Sequence, residues 1–398
     1  MNPVHTRNHI SLFTGCGGFD VGFEGGFMVH RASLNSNVYP EWGPSDKKPW
    51  ICLPKLPFRT ILANDIAAAP KKCWEHFFQG EPERYKKCSI VDLVTDWQEN
   101  KIHCPQNIDV LSGGFPCKDF SLSGKRQGFS STKSHLGQIS DDEISETNRG
   151  VLYYWMAKAI GLTRPKVFVA ENVSAMKSMD GVIERIQRDF ESVGDGYAVF
   201  WKELKAIHYG VPQTRSRIIF IGLNRLAVRA SAIQDIQNGH FDLFPPHTHG
   251  QAPELNPVVP AITYLKYLKE PDESTKPSQQ KYSKAKWLSN GQGQTEVKRN
   301  CPGPTIRSEH HGNIEYRRLS KVHGGTHTRE LSMGYPERRL TARECARLQT
   351  FPDNFPFQEA GVSMNAAYKM IGNAVPPLLA YHIAHHLNCN WNTLFGSN

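Results

Sequence analysis

No apolar run in this chain of 398 residues approaches the ~20 needed to span a bilayer. The amino terminus, M-N-P-V-H-T-R-N-H-I-S-L-F, lacks the apolar h-region and cleavage site of a secretory signal, so the expected location is cytoplasmic. No C-x-x-C pair occurs. The nine cysteines, an odd number, are scattered from Cys16 to Cys389, which argues against a disulfide framework or a zinc ribbon. There is no internal repeat and no acidic excess. Lys and Arg number 47 against 38 Asp and Glu, a formal charge of +9, which suits a polyanionic partner. A hydrophobic share of 39% is enough for a real core, and the length suits one large domain with an insert or two domains.

What is present centres on Ser112 to Ser121, S-G-G-F-P-C-K-D-F-S. The run Ile108 to Leu111 before it reads as a buried strand ended by two glycines. Cys117 would then sit on a Pro-containing loop at the carboxyl end of that strand, where ligands bind in open α/β sheets. Free cysteine is among the most buried residue types, so Cys117 alone reads first as a core thiol.

At the amino end, strand Ile10 to Phe13 runs into T-G-C-G-G-F-D-V-G-F, the strand, glycine-rich turn and helix that open a nucleotide-binding α/β unit. The pattern is F-x-G-x-G-G rather than G-x-G-x-x-G, so a dinucleotide is not implied. Residues 35–59 lack periodicity and read as an inserted loop. A second strand, Thr60 to Ala63, ends at Asp65, which is placed either to accept ribose hydroxyls or to cap the next helix. Cys88 to Ile90 reads as the end of a third strand. The polar stretch 129–149 reads as a lid beside the cysteine. Helix 150–160 and the buried strand 165–170, ending at Glu171, follow. Then come helix 182–192, strand 198–204, Q-T-R-S-R (213–217) and strand 218–222. Such alternation indicates a largely parallel sheet. It stops after Asn224, and the chain to about 338 is rich in His, Pro, Gly, Gln and basic residues. Helical signal returns from Leu340.

Cys117, Glu171, Arg215 and Arg217 would thus gather at the carboxyl ends of parallel strands. Cationic neighbours make a cysteine nucleophilic, and a carboxylate opposite can hold or protonate a heterocyclic nitrogen. A helix cap at Glu171 and a surface charge pair in Q-T-R-S-R are the plain alternatives.

The order of motifs decides between these readings. F-T-G-C-G-G (13–18), G-G-F-P-C-K-D-F-S (113–121), E-N-V (171–173), Q-T-R-S-R (213–217), R-L-T-A-R-E-C-A-R-L-Q-T-F-P (339–352) and G-N-A-V-P (372–376) follow one another along nearly the whole chain. In that order it resembles the cytosine-5 DNA methyltransferases. The resemblance implies a class I S-adenosylmethionine-dependent methyltransferase fold, Rossmann-like with a mostly parallel sheet, plus a smaller target-recognition domain of strands and loops. The expected division is a catalytic and cofactor-binding domain over 1–223, a target-recognition domain over 224–338, and a return to the catalytic domain over 339–398.

By that resemblance Cys117 attacks C6 of a flipped-out cytosine, Glu171 holds N3 and the exocyclic amine, and C5 takes the methyl group. Arg215 would support the cytosine near Glu171, and Arg217 would hold the Cys117 loop. Flipping the base costs a few kcal/mol. Phe13, Gly15, Gly17, Asp65, Ile90, Leu152, Asn373 and Val375 would bind S-adenosylmethionine. Lys118 and Ser121 beside the nucleophile, with Arg307, His310, Asn313, Arg317 and Arg318, have side chains suited to DNA phosphates and base edges. Two positions depart from the family: Lys118 stands where Gln is usual, and Ser89 where an acid usually precedes Ile90. His323 and His327 have H-x-x-x-H spacing without a cysteine pair, and no metal is expected.

The resemblance also implies double-stranded DNA as partner, a prokaryotic restriction–modification setting with a cognate endonuclease acting on the same site, and a monomer. A tRNA cytosine-5 methyltransferase is the nearest alternative, though such relatives have little of the large insert before residue 339. A non-catalytic DNA-binding relative should lack Cys117 or Glu171, and both are present.

Overall fold

The apolar runs separated by helical stretches assemble into one seven-stranded sheet. The computed structural model describes residues 6–43, 48–79, 82–116, 152–282, 296–308, 315–326 and 328–396. The sheet strands are β1 (Arg7–Leu12), β2 (Phe58–Asn64), β3 (Tyr85–Lys86), β4 (Val110–Gly114), β5 (Val167–Val173), β6 (Tyr197–Lys205) and β7 (Ser216–Asn224). Their spatial order is β3-β2-β1-β4-β5-β7-β6. Neighbours from β3 to β5 pair in parallel, whereas β7 is antiparallel to both β5 and β6.

Strand β5 shows why the sheet is central. Val167 and Val169 face one apolar cluster, Phe168 and Ala170 the other, and all four are fully buried. A strand covered on both faces needs such a continuous apolar run. One face carries α1 (Gly18–Glu24) and α9 (Pro377–Cys389), and the other α3 (Ile90–Gln98), α4 (Leu152–Thr163) and α5 (Val182–Glu191). In α5, Val182, Ile183, Ile186 and Phe190 are buried while Glu184, Arg185 and Arg188 are exposed, the spacing of an amphipathic helix. Between α1 and α9 the approach is very close: a Cβ added at Gly22 would lie 2.5 Å from the Ala380 Cβ.

His9, on β1, ties three strands together. Its Nδ1 lies 3.0 Å from Thr60 Oγ1 and its Nε2 2.7 Å from Ser112 Oγ. Burial drives its pKa down to about 3, so the ring is neutral at physiological pH.

The remaining helices are α2 (Ala68–Phe78), α6 (Ala230–Gln237), α7 (Ala342–Leu348) and α8 (Met364–Asn373), with shorter turns between. Thr341 and Glu344 form a reciprocal capping box that starts α7. Regular alternation ends after β7. From this later stretch, Val228, Leu243, Phe244, Ala261, Leu265 and Ile306 join the same apolar cluster as α9. None of the described helices is long and apolar enough to cross a membrane.

Three expectations need correction. Ile90 does not end a strand but begins α3, because the Ser89 Oγ accepts the Val91 N–H at 3.2 Å and caps that helix; the third strand is Tyr85–Lys86. The arginines at 215 and 217 lie at the amino end of an antiparallel strand, not at the carboxyl end of a parallel one; reversing β7 brings that end to the same sheet edge. Within the expected loop 35–59, Trp50–Cys52 pairs antiparallel with Met28–His30, and the insert folds back as a small hairpin.

Candidate active site

Parallel strands deliver their carboxyl ends to one edge, and the candidate residues converge there. Gly114, at the end of β4, stands opposite Glu171 on β5. A Cβ at 114 would lie 3.0 Å from the Glu171 Oε2, so the absence of a side chain lets the carboxylate approach the strand end. Asn172 Nδ2 donates to the Phe115 carbonyl at 3.2 Å and pins the backbone two residues before Cys117. Cys117, Lys118, Ser121 and the polar stretch 129–149 lie outside the described residues.

Glu171 is 7% exposed, and its Oε1 forms a 2.6 Å ion pair with Arg217 Nε. The register explains the pairing. Arg217 stands across from Val173 and Ile219 across from Glu171, so Arg217 and Glu171 are diagonal neighbours on one face of the β5–β7 pair. Arg217 Nη1 also donates to the Ser216 carbonyl at 2.7 Å, fixing the guanidinium. Arg215 is 1% exposed and donates through Nη1 to the carbonyls of Ile306 and Gly372, both at 3.1 Å. Arg217 therefore stands beside Glu171, where Arg215 was expected, and the described bonds of Arg215 join two backbone segments; the expected contact of Arg217 with the Cys117 loop lies outside the described residues.

A glutamine relay beside Arg215 was not singled out from the sequence. Gln213 Nε2 donates to the Leu348 carbonyl and to Gln349 Oε1, while Gln213 Oε1 accepts the Ile306 N–H. Gln349 Nε2 donates on to the carbonyls of Ile371 and Ala374. The glutamines of Q-T-R-S-R and L-Q-T-F-P were the available signal. Together these bonds fasten residue 306 to the 371–374 turn.

The glycine-rich turn lies at the end of β1. Phe13 has φ 51°, an unusual left-handed conformation for a non-glycine residue, followed by Gly15 at φ 54° and Gly17 at φ 92°. Gly15 N–H donates to Asp65 Oδ2 at 3.0 Å, and Asp65 Oδ1 accepts the Ala67 N–H at 2.9 Å. Burial pushes the Asp65 carboxyl above its ordinary value, opposed by these backbone donors. Asp20 braces the turn from beneath, accepting from Ser11 Oγ at 3.0 Å and Thr14 Oγ1 at 2.5 Å. A Cβ at Gly15 would meet nothing within 4 Å, so the space above the turn is open. At Gly18 it would lie 2.3 Å from the Val375 carbonyl oxygen, so the carboxyl-terminal segment forms one wall. Asn373 is exposed and Val375 buried on that wall. Ile90 and Leu152, first residues of α3 and α4, are buried in the same apolar cluster as Leu62. An open glycine turn with an acid at the tip of β2 and an apolar flank fits an adenosyl cofactor.

Among the expected DNA contacts, His310 and Asn313 lie outside the described residues. Arg307 and Arg317 are half-buried. Arg318 needs correction. It is 1% exposed and bound to Glu270 Oε1 at 2.7 Å, Glu330 Oε2 at 3.0 Å and the Pro336 carbonyl at 3.0 Å. Its donors are taken up inside the fold. Arg338 extends the network to Glu270 and Glu344. Burial would raise the Glu344 carboxyl, but the Arg338 guanidinium outweighs it and holds it below the usual range. His323 Nδ1 sits 2.6 Å from Glu337 Oε1, and His327 lies outside the described residues.

The family model for C-5 cytosine-specific DNA methylase matches residues 7–389. Type II methyltransferase M.BsuRI of Bacillus subtilis is 30% identical across 96% of this chain and 79% of its own length. Type II methyltransferase M.NgoPII of Neisseria gonorrhoeae is 31% identical across 94% of this chain and 93% of its own. Among solved structures, a DNA modification methyltransferase encoded in an Escherichia coli prophage superposes with a TM-score of 0.56 at 20% identity, covering 97% of this chain and all of that one. The Dnmt2 methyltransferase of S. pombe superposes at 0.55 and 16% identity, covering 96% and 98%. At these identities the structural likeness speaks for the fold.

Proposed function

The chain belongs to the C-5 cytosine-specific DNA methylases, and from that premise we propose how its residues divide the work of methylating cytosine in DNA. Glu171 is the group that holds the target base. Its carboxylate is oriented by Arg217 at 2.6 Å and lies beside the glycine end of β4. This pair, at the strand end that leads to Cys117, is the observation that carries the reading.

The Cys117 thiolate adds to C6 of the cytosine, which places electron density on C5. A thiol in this role needs cationic neighbours, and Lys118 is suited to supply one. Glu171 hydrogen-bonds N3 and the exocyclic amine and stabilises the ring as its charge changes. After methylation the C5 proton leaves to base, the Cys117–C6 bond breaks and aromaticity returns. Because C5 and C6 are stacked within the duplex, the base is flipped out at a cost of a few kcal/mol.

S-adenosylmethionine would supply the methyl group from a sulfonium centre. Phe13, Gly15 and Gly17 would line its methionine part and Asp65 its ribose. Ile90 and Leu152 would lie toward the adenine, and Asn373 and Val375 would close the pocket. Asp65 retains lone pairs on both oxygens after accepting Gly15 and Ala67.

The stretch 224–338 serves as the target-recognition region, with Arg307, His310, Asn313 and Arg317 toward DNA and Arg318 stiffening the region from inside. The relatives named Type II methyltransferases support a place in a restriction–modification system, with an endonuclease acting on the same site, in a prokaryotic cytoplasm. The protein works as a monomer on double-stranded DNA.

The test is expression in a host without cytosine methylation, followed by bisulfite sequencing. Protected cytosines at one recurrent site are the expected result and name the target. Unprotected DNA from cells holding folded protein and S-adenosylmethionine would overturn the reading, and protection confined to tRNA would favour the RNA alternative.

A further inference from the structure

Three side chains of different metal-ligating types meet at the carboxyl end of α9, remote from the glycine turn. His385 and Cys389 are four residues apart on α9 and therefore share a face. Glu41 reaches them from the short turn Pro40–Trp42 in the insert. His385 Nε2 lies 3.1 Å from Glu41 Oε1 and 3.7 Å from Cys389 Sγ, and one donor atom from each residue falls within 4.8 Å of the others. We infer that Glu41, His385 and Cys389 bind a divalent transition metal of the zinc type, which staples the insert to α9.

The geometry suits a tetrahedral ion. Zinc–ligand lengths of about 2.0–2.1 Å to N and O and about 2.3 Å to S place N and O about 3.4 Å apart and N and S about 3.6 Å apart. The Glu41–His385 separation of 3.1 Å is already close, whereas the Cys389 Sγ, 3.7 Å from both ring nitrogens and within 4.8 Å of the Glu41 oxygen, has to rotate toward Nε2 and the carboxylate to share an ion with them. A thiolate, an imidazole and one carboxylate favour zinc over magnesium or calcium, which prefer all-oxygen sites. Glu41 and Cys389 are exposed, so the ion has an entry path and a fourth position open to water.

The histidine is already oriented. Trp42 and Tyr39 approach its ring edge-on at 4.9 and 5.1 Å, and Tyr381 stacks at 5.8 Å. Tyr39 and Trp42, stacked at 4.1 Å, belong to the same segment as Glu41, so a metal here would fasten a patch that already docks on α9. Without a metal, burial and the nearby Glu41 push the Cys389 thiol up. Binding would therefore exchange the thiol proton for the ion. The other end of α9 packs against α1 beside the glycine turn. A helix of thirteen residues is about 20 Å long, so the ion sits far from the reacting atoms and acts as a structural staple.

The experiment uses the full chain, stripped with a chelator and titrated with Zn2+ or Co2+. One equivalent should bind, the thermal midpoint should rise, and Co2+ should give a thiolate charge-transfer band in the near ultraviolet. Cys389→Ser should lose that band, and Glu41→Gln should weaken Co2+ binding by about tenfold or more. Both substitutions are at exposed positions, so each variant should fold and methylate DNA. A band that survives Cys389→Ser, or stripped wild-type protein that takes up neither ion, would overturn the assignment.

Discussion

Replacing Gly18 by alanine should damage cofactor binding selectively, because of where the added methyl group must go. It would lie 2.3 Å from the Val375 carbonyl oxygen and 3.2 Å from the Val375 nitrogen, backbone atoms that cannot swing aside. The turn after β1 and the segment carrying Asn373 and Val375 would have to part. Overpacking of this kind costs about 1–3 kcal/mol. If the strain is relieved by opening the pocket, it appears as a rise of roughly five- to 150-fold in KM for S-adenosylmethionine, at about 1.4 kcal/mol per tenfold. Gly22→Ala is the control. Its methyl group would meet Ala380 Cβ at 2.5 Å and the Pro377 carbonyl oxygen at 2.6 Å, a similar insult on the same helix, against α9 itself and one helical turn further from the pocket. Tritium transfer from labelled S-adenosylmethionine gives KM and kcat, and thermal unfolding gives stability. Gly18→Ala should raise KM well beyond Gly22→Ala at comparable loss of thermal midpoint. Equal KM values in the two variants would refute the assignment of Val375 to the pocket wall.

The buried positions make further predictions. Arg318→Ala breaks buried ion pairs with Glu270 and Glu330 and should cost roughly 3–5 kcal/mol of stability, leaving the slope of log K against log salt for DNA unchanged; Arg317→Ala should lower that slope by about one. Binding titrations across a salt series distinguish them. Gln349→Leu removes its donors from the carbonyls of Ile371 and Ala374 and the acceptor of one Gln213 amide N–H, whose bonds to Leu348 and Ile306 remain, at about 1–3 kcal/mol for each group left unsatisfied, and calorimetry should register the loss. His9 holds its folded pKa near 3, below the ordinary 6.5, so the unfolded chain binds its proton first. Its contribution is complete above pH 6.5 and falls by about 1.4 kcal/mol per unit as the pH drops toward 3; other buried histidines titrate in the same direction, so in urea unfolding the wild-type slope should exceed that of His9→Gln by this amount.

Much of this was legible in the chain. The run V-F-V-A before Glu171 announces a strand buried on both faces, and the glycines after β1 announce the turn, because each depends on local sequence. The direction of β7 depends on pairing with β5, and no local feature encodes it; with it went the distinction between Arg217, on β7 and diagonal to Glu171, and Arg215, which lies just before the strand. Ser89 could be read as a departure from an acidic position, yet its hydroxyl is what starts α3. Arg318 looked like a DNA contact because charge on a basic stretch is visible in sequence, whereas Glu270 and Glu330 that bury it are 48 and 12 residues away. Glu41 and His385 are likewise joined only by folding.

The central claim is that Cys117 attacks the cytosine while Glu171 holds it. Duplex DNA carrying 5-fluorocytosine at the methylated position tests this directly, since fluorine at C5 blocks the final elimination and leaves the enzyme bound through C6. With S-adenosylmethionine present, wild-type protein should form a denaturant-stable complex with the methylated duplex, Cys117→Ser should form none, and Glu171→Gln should form it far more slowly. A stable complex with Cys117→Ser, or none with active wild-type enzyme, would contradict the account.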